Sequence, residues 1–232
     1  DKANDFLELL TPICKAYCTD RGFETCSTSM QVYGGYGYTN EYPVEQTTRD
    51  ARILPIYEGA NGIQAMDLLG RKIGMKKGMV LMNYIEELGK DLEAAKAIPG
   101  FADVAEDYEK AKDEFINVAM NLSMFGLQGK FGVALKAASE LLKLMGHVVG
   151  MSGLVEGCIV ANTWLQERYA KEGIAADDMK AQRAFYATNL EAQFYAGKLA
   201  SARFFAKNIL PEVYALSSSI LSEDKSCFEP VL

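Results

Sequence analysis

"QVYGGYGYTNEYPVEQTTRDARILPIYEGANGIQ" runs from Gln31 to Gln64, and its reading decides the fold of the chain around it. Its left edge ends a helix. Thr11 is placed as an N-cap with Pro12 at the first helical position, and the helix runs from there to about Tyr33. Gly34-Gly35 stops it, because glycine enters the left-handed conformation that closes a helix. Residues 2–10 read as a short helical lead-in, and "GGYGYTNEYP" as a turn-rich loop. Pro43 opens a second short helix, which ends before Pro55 because the residue preceding a proline is driven away from the helical region. After "EGANG", Ile63 to about Ile73 reads as a third helix.

From Gly74 onward the texture is of long amphipathic segments with few breakers. The pattern predicts helices near 75–97, 102–126, 129–149, 152–171, 178–208 and 211–221. Pro99-Gly100, Gly126 to Gly129, Gly150 to Gly153 and "EGIAADD" mark the joints. No alternating strand pattern persists. The expected architecture is all-α, with a helical bundle over 74–222 and a loosely packed tail over 223–232. Of the 232 residues 49% are hydrophobic, enough for a sizeable core, and six prolines leave long helices uninterrupted. A net charge of −7 argues against general attraction to nucleic acid or an anionic membrane. No uninterrupted apolar run is long enough to span a bilayer. Five cysteines without a CxxC pair read as reduced cytosolic thiols, and Cys14 and Cys18 lack the partners of a zinc site. The chain opens at Asp1 in helix-forming sequence without an initiator methionine, which reads as a piece of a larger protein.

Individual motifs each carry a bland and a chemical reading. "GGYGY" lacks the preceding strand and following helix of a dinucleotide fingerprint. It is a helix C-cap, or a stretch of bare backbone N–H groups that meets a ligand of a neighbouring subunit. The lone His147 sits among Leu144, Met145, Val148 and Val149 and reads as structural; Leu144 occupies the position that a di-iron Glu-x-x-His motif needs. Trp164 reads as core or interface, and Met75, Met79 and Met82 as helix packing. "QRAFYATNLEAQFYAGKLASARFFAKNI" reads as a buried aromatic face with snorkelling cations. Glu58 is either an acid favoured by the dipole of the helix that follows, or a base in a dry pocket. Ile53, Leu54, Pro55 and Ile56 suggest the second: a carboxylate that loses hydration there becomes a stronger base. Gly59 and Gly62 let backbone or substrate come close.

The order glutamine, paired glycines, Glu-Tyr-Pro, Arg-Asp and Tyr-Glu-Gly within Gln31–Gln64 resembles the signature region near the end of FAD-dependent acyl-CoA dehydrogenases. The resemblance covers residues 1–73. The remainder is similar to the extra C-terminal helical region of longer bacterial members, including the branch acting on 3-methylmercaptopropionyl-CoA. It implies that Glu58 is the base taking the α-proton of an acyl-CoA thioester, that FAD takes the β-hydride, and that a trans-2-enoyl-CoA results. It implies that the Glu58 N–H helps hold the thioester oxygen, that Tyr57 and Gly59 line the acyl pocket, and that Gln31, Gly34 and Gly35 contact the FAD of an adjacent subunit. Arg49 and Asp50 become structural ion-pairing residues. Ala60 stands where many members have a Thr, removing one hydroxyl contact to the flavin's ribose or phosphate region; Gly62 stands where a polar or larger residue is common.

The resemblance further implies that 1–73 is the latter part of the family's C-terminal four-helix domain and that 74–222 is an added bundle. A cytoplasmic homodimer or dimer of dimers follows, with electron-transferring flavoprotein as electron acceptor and no metal. The chain by itself, without the family's N-terminal helical and β domains, is expected to bind FAD poorly and to be inactive, since one contact edge cannot offset the entropy of holding a large cofactor. Two rival readings are an acyl-CoA oxidase and a helical module for oligomerisation or partner docking.

Overall fold

A computed structural model describes residues 1–175, 177–224 and 226–228, and among these the regular structure is entirely helical. The order is α1 (Lys2–Val32), a 3-10 turn (Gly34–Tyr38), α2 (Pro43–Ile53), α3 (Asn61–Asp67) with a π turn (Leu68–Lys72), and a second 3-10 turn (Met75–Gly78). Then come α4 (Met79–Gly89), α5 (Leu92–Lys96), α6 (Ala102–Leu127), α7 (Phe131–Lys136) and α8 (Ala138–Glu172). Last are α9 (Met179–Thr188), α10 (Leu190–Asn208), α11 (Glu212–Leu221) and a 3-10 turn at Ser226–Phe228. The all-α class is the one the sequence predicts.

Several boundaries differ from those expected, each for a physical reason. Residues 2–10 and the helix after Thr11-Pro12 are one helix. Thr11 is no N-cap: its hydroxyl donates to the Leu7 carbonyl at 2.7 Å, and Pro12 is buried inside α1. An interior proline costs about 3 kcal/mol. Leu9, Pro12, Ile13 and Ala16 nevertheless share one buried face, and burying a Leu or Ile side chain returns about 1.5–3 kcal/mol each. Likewise α8 passes through Gly150 and Gly153, because Val148, Met151 and Val155 on either side of them are fully buried. The segment 178–208 is two helices: Asn189 is extended, and its side chain accepts from the Ala192 N–H at 3.0 Å, so it caps a new helix. The segment 75–97 becomes helical only at Met79, since Lys76 and Lys77 (φ +48° and +60°) and Gly78 (φ +83°) are left-handed.

Two other glycine joints do hold. Gly129 (φ +74°) and Gly173 (φ +68°) close α6 and α8, and the next N–H in each case bonds five residues back, Lys130 to Phe125 O and Ile174 to Tyr169 O, both at 2.9 Å.

The chain forms two compact units. The first comprises 1–84, 120–146 and the described residues from 219 on. In it α1 packs against α2 and α3, and Leu9, Ile13, Ala16, Ala65 and Leu68 are buried. The buried Lys72 ammonium is paired with Glu8, and Lys76 with Asp5 at 2.6 Å. The expected loose tail is tied down where it is described: Glu223 pairs with Lys130 at 2.6 Å and Asp224 with Lys136 at 3.3 Å. Residues 225 and 229–232 of that tail lie outside the described residues.

The second unit comprises 85–119 and 147–218. Tyr108 is buried, its hydroxyl donating to the Leu88 carbonyl at 2.8 Å, and burial pushes its pKa up to about 12. Leu165, Tyr169 and Ala192 form a core against which Trp164 and Tyr195, stacked at 4.5 Å, are packed. His147 is fully buried with Nε2 2.9 Å from Glu212 Oε2, the structural role expected of it.

Two packing expectations are corrected. Met79 and Met82 are exposed rather than packed. The buried face of α10 is made by Ala192, Ala202 and Ala206, while Phe194 and Phe204 face outward, Phe194 under the Lys198 ammonium. By length and hydropathy α8 could cross a bilayer, but half of its most apolar stretch is buried inside the protein, as in a core helix.

Candidate functional site

Pro55 ends α2 and starts a short loop that the backbone closes on itself. The N–H groups of Ile56 and Tyr57 both bond to Ile53 O, at 2.9 and 3.2 Å. The Asn61 N–H bonds to Pro55 O at 3.0 Å, bringing the loop's end back to its beginning. Between these anchors the chain reverses through Glu58 (φ +53°) and Gly59 (φ +84°). For glycine this is ordinary; for glutamate it costs about 1–2 kcal/mol, because the Cβ crowds the carbonyl that follows. A Cβ on Gly59 would lie 2.8 Å from Gln64 Nε2, the end of a flexible side chain, so the left-handed backbone and not the contact is what favours glycine there. Ala60 is extended, and α3 starts at Asn61.

Tyr57, Glu58 and Gly59 are therefore consecutive on one exposed loop. The dry surrounding expected from Ile53–Ile56 is not supplied by those residues. Pro55 is buried and Leu54 half-buried, but Ile53 and Ile56 are themselves about half exposed, and Glu58 is exposed. Across α3, Ile63 and Met66 are exposed as well. A carboxylate thus stands on a segment that presents large apolar side chains to the outside.

Gln31, Gly34 and Gly35 lie on a separate segment, the end of α1 and the 3-10 turn, and all three are exposed. Gly34 is left-handed (φ +62°), and nothing lies within 4 Å of where a side chain would sit on Gly34 or Gly35. The stretch thus ends a helix, as one reading has it, and leaves the backbone of Gly34 and Gly35 unobstructed. Gly37 has a different role, since a Cβ there would fall 2.4 Å from the Met30 carbonyl oxygen. Tyr33 and Tyr36 rest against Tyr42, with ring centroids 5.8 and 5.7 Å apart. Arg49 is ion-paired one turn back, with Glu45 at 2.6 Å.

Asn61 is the site-region residue that the sequence reading passed over. Its amide joins α3 to α1 through Lys15, Ala16, Thr19 and Asp20. The available signal was its position: asparagine favours the N-cap, yet here Ala60 caps and Asn61 stands inside the first turn.

Comparison with known proteins matches residues 1–73 to the family model "Acyl-CoA dehydrogenase, C-terminal domain" and residues 84–230 to "Acetyl-CoA dehydrogenase C-terminal like". The chain is similar to a butyryl-CoA dehydrogenase of Syntrophomonas wolfei (30% identity, over 98% of this chain and 34% of the relative). It is similar to the broad-specificity linear acyl-CoA dehydrogenase FadE5 of Mycobacterium tuberculosis (31% identity, 98% and 36%). It is also similar to the 3-methylmercaptopropionyl-CoA dehydrogenase of Ruegeria pomeroyi (31% identity, 94% and 34%). The chain spans about a third of the length of these curated relatives.

Proposed function

The chain belongs to the acyl-CoA dehydrogenase family, of which it carries C-terminal domains, and on that premise we propose that Glu58 is the catalytic base of the full-length enzyme. The observation that carries this reading is the backbone of Glu58. Glu58 is held at φ +53° on an exposed loop between Tyr57 and Gly59, and strain of this kind, which Lys76, Lys77 and Glu223 also carry, supports the reading here because it falls on a carboxylate beside exposed apolar side chains.

In this reading the exposed Ile53, Ile56, Ile63 and Met66 are covered in the working enzyme, so that Glu58 acts without water around it. The Glu58 carboxylate then removes the proton α to the thioester carbonyl. The Glu58 N–H donates to the thioester oxygen and stabilises charge that develops there. Tyr57 and Gly59 border the acyl chain, the glycine leaving room beside the reacting carbon. Gln31 and the bare backbone of Gly34 and Gly35 suit close approach of an FAD dinucleotide, held from an adjacent subunit. When bound, FAD supplies the acceptor for the β-hydride, and the product is a trans-2-enoyl-CoA.

The remaining assignments are of one piece with this. Residues 1–73 form the latter part of the catalytic helical domain, 74–222 an added bundle, and 223–232 a tail. The enzyme is a cytoplasmic homodimer or dimer of dimers and passes electrons to electron-transferring flavoprotein. The test is Glu58→Gln in the full-length, FAD-loaded enzyme. Loss of a general base lowers turnover by about 10²–10⁴-fold. Exchange of the substrate α-proton with deuterated solvent should fall with it; undiminished exchange would remove the assignment.

A further inference from the structure

We propose that Asn61 is the positioning residue for Glu58: its side-chain amide clamps the loop carrying the carboxylate to the middle of α1. The inference rests on Glu58 acting as the base.

The amide meets chemistry of opposite kind on its two sides. The Lys15 ammonium donates to Oδ1 at 2.7 Å. The two hydrogens of Nδ2 face three acceptors, Asp20 Oδ1 at 2.8 Å, Thr19 Oγ1 at 3.0 Å and the Ala16 carbonyl at 3.1 Å, so one of them is shared. Lysine has no acceptor and a carboxylate no donor, so these neighbours set which end of the amide is which. Thr19 gives its own proton to the Lys15 carbonyl at 2.7 Å and is thereby left to accept from Asn61. An aspartate in this place would satisfy Lys15 but set a second carboxylate against Asp20 and against the Ala16 carbonyl. An alanine would satisfy neither.

The clamp bears on Glu58 through the backbone. Only Gly59 and Ala60 separate the two residues, and the Asn61 N–H closes the loop onto Pro55 O at 3.0 Å. A glutamate remains left-handed only where its surroundings over-determine it. Asn61 supplies that determination: it fixes the downstream end of the loop to a long helix by its side chain and to the upstream end by its backbone. Released, the chain between Pro55 and Asn61 can return Glu58 to an ordinary conformation, which redirects both the carboxylate and the N–H that follows Tyr57.

The experiment uses the full-length, FAD-loaded enzyme with Asn61→Ala, Asn61→Asp, Lys15→Met and the Asn61→Ala/Lys15→Met double variant, beside wild type and Glu58→Gln. Turnover is expressed per bound flavin, so that simple loss of folded or loaded enzyme cancels. A misplacement of about 1 Å at the reacting groups lowers the rate on the order of 10²-fold. Both Asn61 variants should therefore lose about 10- to 100-fold in kcat per flavin, with KM within about threefold of wild type. Lys15→Met should lose less, and the double variant no more than Asn61→Ala, because both act through one amide.

A kcat per flavin within about threefold of wild type in Asn61→Ala would overturn the proposal, as would a loss wholly in KM. Additive losses in the double variant would overturn it too. If the Asn61 variants do not fold, Lys15→Met decides: a fall in kcat per flavin at unchanged KM supports the clamp, and wild-type kcat sinks it. The Glu58→Gln arm separates the two levels. Retained α-proton exchange there refutes the base itself, whereas lost exchange there with unaffected Asn61 variants refutes only the clamp.

Discussion

The strained backbone at Glu58 yields a prediction about stability that is independent of catalysis. Replace Glu58 by glycine and, separately, by alanine. Its carboxylate is exposed and makes no ion pair among the described residues, so removing the side chain should shift stability by no more than about 0.5 kcal/mol. Glycine also relieves the left-handed conformation at φ +53°, which costs an L-residue about 1–2 kcal/mol. Against that stands the greater freedom of glycine in the unfolded chain, about 0.4–1 kcal/mol. The midpoints of the two ranges, about 1.5 less about 0.7, leave Glu58→Gly about 0.8 kcal/mol more stable than Glu58→Ala, which keeps the strain. Tryptophan fluorescence is deaf to this change, since Trp164 lies in the other compact unit, and a chain with two units need not unfold as one two-state system. Amide hydrogen exchange of peptides covering 54–67 is the suitable assay. It should be about two- to fivefold slower in Glu58→Gly than in Glu58→Ala, with peptides from α10 unchanged. Equal protection in the two variants, or less in the glycine one, would mean that Glu58 is not held left-handed. The functional reading built on that strain would fall with it. The expected pairing of added stability with lost chemistry is the usual exchange at a working residue.

Other outcomes follow from single contacts. A Cβ on Gly146 would lie 2.3 Å from the Tyr17 ring, so Gly146→Ala should lose about 1–3 kcal/mol in a denaturation series. Gly153→Ala, where nothing lies within 4 Å, should gain up to about 1 kcal/mol; equal effects at the two sites would refute the packing around Tyr17. Hydrogen bonds from Arg203 and Lys207 hold the Asp103 carboxyl at a pKa of about 2, below its ordinary 3.8. The folded-state value is the lower one, so the stabilisation is complete above about pH 4 and is lost as pH falls toward about 2. Circular dichroism of acid unfolding should show wild type losing more stability than Asp103→Asn across that window, and added salt should shrink the difference. Burial pushes the Cys158 thiol up to about 11, while Cys14, Cys18 and Cys227 are exposed. Thiol labelling followed by peptide mapping should leave Cys158 unmodified in the native protein and modify it in denaturant; labelling at the rate of Cys14 would contradict its burial.

What was legible in the chain, and what was not, divides along the range of the forces involved. Signals that act within one turn were read correctly. Pro43 opens α2, and the joints at Gly129 and in "EGIAADD", at Gly173, close their helices left-handed. Signals that compete with burial were misread, because the competing term lies elsewhere in the chain. Pro12, Gly150 and Gly153 look like breaks until the buried faces running through them are counted. The reverse error occurred at Asn189, where a strong cap sits inside a continuous apolar pattern. The site divides the same way. The residues of the loop were legible as a motif, but Ile53 and Ile56 look like core and are exposed. Hydrophobicity says that such residues find cover; it does not say that the cover comes from their own segment. Asn61 is the sharpest case. Its neighbours Lys15, Thr19 and Asp20 are more than 40 positions away, so no local rule could pair them. What local rules could show is that an asparagine had been placed one residue past the position where it would cap a helix. A polar side chain set aside from its local use implies a distant one, and here that distant use holds the loop of Glu58 in place.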